Sequence, residues 1–133
     1  MKCVLAGGRD YRFSIDDIVY LDSLRLSLPI TEVVTGGAPG ADADGAQWAR
    51  GHRLPIRVFP ANWQLHERSA GPIRNREMAA YAQALVVFPG GRGTANMVRA
   101  ALNRRLVVLS RHFSDEELVQ MGGRHGEQEG TGA

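Results

Sequence analysis

Three glycine clusters each stand at the end of a short, mainly apolar run, and this restricts the fold more than any other feature of the chain. Gly7-Gly8 follows Lys2 to Ala6, Thr35 to Gly40 follows Ile30 to Val34, and Pro89 to Thr94 follows Ala84 to Phe88. Runs of this length without polar alternation belong to strands buried on both faces, as in parallel sheets. Helical spacing separates them. Ser14 to Leu26 carries Ile15, Ile18, Val19, Leu21 and Leu24 on one face, and further helices are expected from Ala41 to Gly51, Ile73 to Tyr81 and Thr94 to about Asn103. Further strands are expected at Ile56 to Phe59 and Leu106 to Leu109, with a polar loop after the former. The succession predicts a single three-layer α/β domain of about five parallel strands, the first central, with helices on both faces.

The chain of 133 residues is the length of one domain. Ser114 and Glu117 form a capping-box pattern that opens a short helix to about Met121. The expected domain is therefore 1–121, and 122–133, with almost nothing to bury, is expected to be a disordered tail. The apolar content of 44% and charged content of 23% are those of an ordinary globular chain. The first residues lack a signal-peptide core and no apolar stretch reaches membrane-spanning length, so the expectation is a cytoplasmic chain with no membrane partner. Cys3, the lone cysteine, has no partner for an internal disulfide.

In an open parallel sheet, strand-to-helix loops share the carboxyl edge, where ligands bind at the point of strand-order reversal. Glycine lets backbone amides approach a ligand, and the helix that follows adds unpaired N–H groups and a positive dipole end. The matching ligand is an anion, most often phosphate. A glycine turn with positive φ is the structural alternative for any one loop, and three coincident loops favour the ligand reading. Gly8, Gly36, Gly37, Gly40, Gly90, Gly91, Gly93 and Thr94 are thus candidate ligand-binding positions. There is no G-x-G-x-x-G after the first strand, and the only lysine, Lys2, rules out a Walker loop.

Side chains near these loops supply the remaining candidates. Arg9 and Asp10 follow the first strand directly, although an aspartate there also suits a turn. Asp42 and Asp44 fall in the first turn of their helix, either stabilising its dipole or serving as ribose contact or general base. Arg74 and Glu77 share a helix face, so Arg74 either pairs with Glu77 or grips a phosphate. Trp63 reads as a core residue or a base-stacking one, and His66 lies in the polar loop. The other histidines are scattered without metal-ligand spacing, so neither a metal nor a cofactor is expected. All the positive charge but Lys2 is arginine, which suits bidentate phosphate recognition, but a net charge of +2 is too small to argue for nucleic acid.

The order of Gly7-Gly8-Arg9-Asp10-Tyr11, Val34 to Asp42, Phe59 to Trp63, Ala70 to Met78 and Phe88 to Thr94 resembles the cpYpsA-related branch of the SLOG superfamily. The resemblance covers about Lys2 to Leu109 and implies a Rossmann-like domain binding a nucleotide or nucleotide-derived, ADP-ribose-like ligand, with Arg74 and Asn75 among its contacts. More distantly the chain resembles the LONELY GUY phosphoribohydrolases, with Arg74 and Met78 on the Arg-x-x-x-Met pattern. It departs from that family at the glutamate of P-G-G-x-G-T-x-x-E, where it has Met97 beside Asn96. A thioether handles no proton, so that mechanism does not carry over intact. The resemblance leaves two alternatives open. One is hydrolysis of a nucleotide N-glycosidic or phosphoester bond, with Asp42 and Glu77 the leading catalytic candidates and Asp10 and Asp44 behind them. The other is single-stranded DNA binding, which would need arginines such as Arg53, Arg57, Arg104 and Arg105 on one face. Exposed apolar helix faces would allow a homodimer.

Overall fold

The computed structural model describes the fold of residues 1–132 and the side chains of residues 1–123. Five strands, β1 (Lys2–Ala6), β2 (Glu32–Thr35), β3 (Ile56–Val58), β4 (Ala84–Val87) and β5 (Val107–Leu109), form one parallel sheet in the order β3-β2-β1-β4-β5. Val4 of β1 faces Val34 on one side and Leu85 on the other, so the first strand is central as the sequence predicts.

Period-two alternation sorts these strands between two cores. Cys3, Leu5, Val33, Val86 and Phe88 pack with Leu21 of α1 (Ile15–Ser27) and with Trp48 and Ala49 of α2 (Ala41–Gly51). Their neighbours Val4, Val34, Leu85 and Val87 pack the other way. They meet Met78 of α4 (Ala70–Tyr81), Met97 and Val98 of α5 (Arg92–Asn103) and Leu118 of α6 (Asp115–Gly132). Every residue of β4 is buried, which explains a strand with no polar alternation.

Several boundaries differ from the sequence expectation. The polar loop contains a single-turn helix, α3 (Trp63–His66), capped by the Asn62 side chain on the Leu65 N–H at 3.1 Å, followed by a 3-10 turn over Glu67–Ser69. α4 starts at Ala70 rather than Ile73. α5 starts at Arg92 rather than Thr94, because Gly91 holds the cap position and the Ala95 N–H already reaches the Gly91 carbonyl at 3.1 Å. Thr94 is therefore a buried helical residue and not the cap. The Ser114–Glu117 capping box is present in both directions. α6 continues past Met121 through Gly122, which lies so close to α5 that an added Cβ would stand 3.1 Å from Arg99 Cα. The disordered tail expected over 122–133 lies, from residue 124 on, outside the residues whose side chains are described. No helix among the described residues is long and apolar enough to cross a membrane.

Candidate functional site

Strand order reverses beside β1, so the loops after β1 and β4 leave the sheet side by side and open a crevice between them. Gly8 stitches the loops together. Its N–H donates to the Pro89 carbonyl at 2.8 Å, and its carbonyl accepts from the N–H groups of Tyr11 at 3.2 Å and Ala41 at 3.1 Å. Such contact needs a bare backbone at Gly40, where φ is +76° and an added Cβ would stand 2.2 Å from the Arg9 carbonyl oxygen. Above the stitched loops lies a cleft of about 900 Å³.

Most of the candidate residues meet in this cleft. The first loop brings Gly8, Arg9 and Asp10, and the second brings Gly36 and Asp42. Arg74 and Asn75 reach it from α4, and Gly90, Gly91, Gly93 and Thr94 from the last loop and the start of α5. Five candidates do not line it, His66 of α3 among them. Gly40 serves the loop contact just described. Gly37 also has a left-handed φ, +77°, and is a turn residue. Asp44 accepts from Arg12 Nε at 3.0 Å and the Phe13 N–H at 2.9 Å, tying α2 to the β1–α1 loop. Glu77 is an exposed residue of α4 outside the cleft lining, and among the described residues no hydrogen bond or ion pair joins it to Arg74.

Arg74 is held by the protein on two edges. Nη1 donates to the Gly36 carbonyl at 2.9 Å, and Nε donates to Asn75 Oδ1 at 3.1 Å. Gly36 is glycine because a Cβ there would stand 2.3 Å from Nη1. Nη2 has no hydrogen-bond acceptor among the described residues. Asp42 lies nearby with its Oδ2 accepting from the Ala38 N–H at 3.2 Å. Burial pushes the Asp42 carboxyl up, and the Ala38 and Gly36 N–H groups together with the Arg74 charge only partly oppose the rise. Burial likewise lowers the Arg74 value against the pull of Asp42.

The rest of the cleft is apolar inside and basic at the rim. Met78 and Met97 are buried beneath it, so the position of the hydrolase glutamate holds a thioether against the core. Trp63, 58% exposed, lines one wall with Arg68, and Arg92 lines the opposite loop. Trp63 is thus a cleft residue and not a core one. What lies behind Tyr11 carries no long-range signal in the sequence. Its hydroxyl donates to the fully buried Asp17 carboxylate, which also accepts from Arg111 Nε and His112 Nε2, each at 2.8 Å, and from the Ser14 N–H at 2.9 Å. Burial pushes the Asp17 carboxyl up, but the donors outweigh it and hold the group well below the usual carboxylate range. Burial and the Asp17 carboxylate push the Tyr11 hydroxyl up to about 12, so it remains a donor. Among the described residues there is no group of three or more His, Cys, Asp or Glu able to hold a metal.

This geometry can be set beside known proteins. A sequence-family profile described as YspA, cpYpsA-related SLOG family matches residues 1–66. The Gene 61 protein of Mycobacterium phage D29 is 40% identical over 92 residues, which are 63% of this chain and 72% of that protein. The chain belongs to the YspA, cpYpsA-related SLOG family. The profile match takes in the first two glycine loops and Trp63 of this SLOG chain, whereas Arg74 and Pro89 to Thr94 lie beyond it. Among solved structures, DNA processing protein A from Streptococcus pneumoniae superposes with a TM-score of 0.65 at 16% identity, over 97% of the SLOG chain and 56% of the other. The protein designated TM1055 superposes with a TM-score of 0.55 at 19% identity, over 80% of the SLOG chain and 71% of its own. At these identities the likeness is one of fold. The SLOG chain spans little more than half of the DNA processing protein.

Proposed function

We propose that the chain binds a nucleotide or nucleotide-derived ligand, ADP-ribose-like in its phosphate and sugar, with a phosphate seated at the start of α5. The carrying observation is the state of Gly91 and Gly93. Neither has a positive φ, and a Cβ added to either would meet nothing within 4 Å. No packed neighbour therefore demands glycine at these two positions, both of which line the cleft. A ligand pressed against the backbone supplies the need. Because the first bond of α5 runs from Ala95 to Gly91, the N–H groups of Arg92, Gly93 and Thr94 precede the helix ladder and point past its positive end. Arg74, with Nη2 uncommitted, adds a fixed cation, and Trp63 offers a face for a base.

Binding, rather than hydrolysis, is favoured by the carboxylates. Among the described residues those lining the cleft are Asp10, which is exposed, and Asp42, which is turned to the Ala38 N–H, while Met97 holds the position of the family-type glutamate. Three of the four arginines considered for single-stranded DNA stand apart from the cleft. Arg53 follows α2, and Arg104 and Arg105 follow α5, so all three stand at the amino edge of the sheet, opposite the cleft. Calorimetry with AMP and ADP-ribose tests the reading. Gly91→Val should keep the melting temperature, since the added side chain enters open space, and lose binding of both ligands. A folded variant with unchanged affinity removes this loop from the site.

A further inference from the structure

The orientation of one side-chain amide in the cleft follows from a chain of donors and acceptors that begins at Arg74. A guanidinium only donates, so the Asn75 atom that meets Arg74 Nε at 3.1 Å is its oxygen. Asn75 is buried and has no freedom to turn over. Its Nδ2 is therefore the end that reaches the Gly93 carbonyl at 3.3 Å and the Asn96 side chain at 2.9 Å. A carbonyl only accepts, which agrees with the same assignment. The atom of Asn96 facing Asn75 is then its oxygen, and the end left over is the NH2 group. Asn96 is half-buried and lines the cleft, and its Nδ2 has no acceptor among the described residues.

We propose that Asn96 is a specificity-determining residue that offers this NH2 group to an oxygen of the sugar carrying the bound phosphate. The inference rests on the nucleotide reading above and names what one further contact selects. Asn96 lies one helical turn beyond Gly93, and side chains on a helix lean toward its N-terminus, so the amide hangs beside the proposed phosphate position. The backbone N–H groups at the start of α5 suffice for the phosphate. The next group inward is the sugar, whose hydroxyl and ring oxygens accept. A donor fixed in this direction favours a ribose phosphate over a bare phosphate and over a sugar-free phosphoester. Arg74 and Asn75 act here as positioning residues, since they set which end of Asn96 the ligand meets.

Calorimetry of the full chain with AMP and ADP-ribose, and phosphorus NMR titration with inorganic phosphate, test this on two variants. Asn96→Ala should weaken AMP and ADP-ribose at least tenfold and leave inorganic phosphate binding unchanged. Asn96→Asp still accepts from Asn75 Nδ2 but turns the free end from donor to anion, so it should keep the wild-type melting temperature and weaken AMP further than alanine does. Equal AMP affinity in wild type and Asn96→Asp overturns the assignment. A loss shared equally by AMP and inorganic phosphate in Asn96→Ala also overturns it, because Asn96 would then belong to the phosphate cradle. Wild-type protein that binds none of the probes overturns the nucleotide reading together with this one.

Discussion

Gly40 and Gly91 are both glycines of strand-to-helix loops, and the reasons for them are opposite. Gly40 is required by the fold, through its positive φ and the Arg9 carbonyl against its Cα. Gly40→Ala should cost on the order of 3 kcal/mol, read as a lowered urea midpoint whether or not ligand is present. Gly91 is tolerant by the same measures, and its substitution should be felt only by a ligand. Sequence alone does not separate the two, because a glycine does not record whether backbone or ligand lies against it. Asp42 carries a cost of another kind. Its folded value is raised, so the native state favours the protonated form, and the stability this brings is present in acid and lost as the pH rises through the folded value. Asp42→Asn should therefore raise the melting temperature at pH 7, with the gain vanishing below about pH 4, where the unfolded carboxyl also protonates. Such a gain accompanied by weaker AMP binding would mark Asp42 as a residue kept for the ligand.

At the scale of elements, the segment after β5 is latched to the β1–α1 loop through Asp17. The carboxylate caps α1 by way of the Ser14 backbone while Tyr11, Arg111 and His112 converge on it. Asp17→Asn puts an NH2 group in place of one buried oxygen that only accepts, leaving donors without their acceptor, and should cost about 2 kcal/mol in chemical denaturation at pH 7. Because the folded value is depressed, the stability Asp17 contributes is present above about pH 4 and lost as the pH falls toward the folded value. The variant should show a shallower loss of stability in acid than wild type. The latch was not legible beforehand: Ser14 and Asp17 form a local capping pattern, but Asp17 and His112 stand 95 positions apart. The central strands were legible, because β4 is apolar throughout, β1 is apolar after Lys2, and each is followed within three residues by glycine. The start of α5 was not. Gly91-Arg92-Gly93 is poor helix-forming sequence, and Thr94 offers a better cap by composition than Gly91, yet tertiary contact begins the helix earlier. α3 escaped notice because four residues are too few to show a period.

For the molecule as a whole, two cores on opposite faces of one sheet hold a cleft that belongs to neither. A ligand that binds only the native state should stabilise the whole chain, by about 2.7 kcal/mol at a hundredfold excess over its Kd. AMP at that excess should thus raise the melting temperature of wild type and leave that of Gly91→Val where it was, a comparison open to scanning calorimetry. The two sides of the cleft are built differently. One side is the set of loops sewn through Gly8, and the other is the stretch from Trp63 to Ser69, in which no residue is buried. That asymmetry divides the kinetics. On the proposed binding reading, the exposed wall led by Trp63 would govern how fast a ligand enters, and the sewn floor how long it stays. In stopped-flow measurements Trp63→Ala should then act chiefly on the association rate, and substitutions among the glycines of the floor on the rate of release.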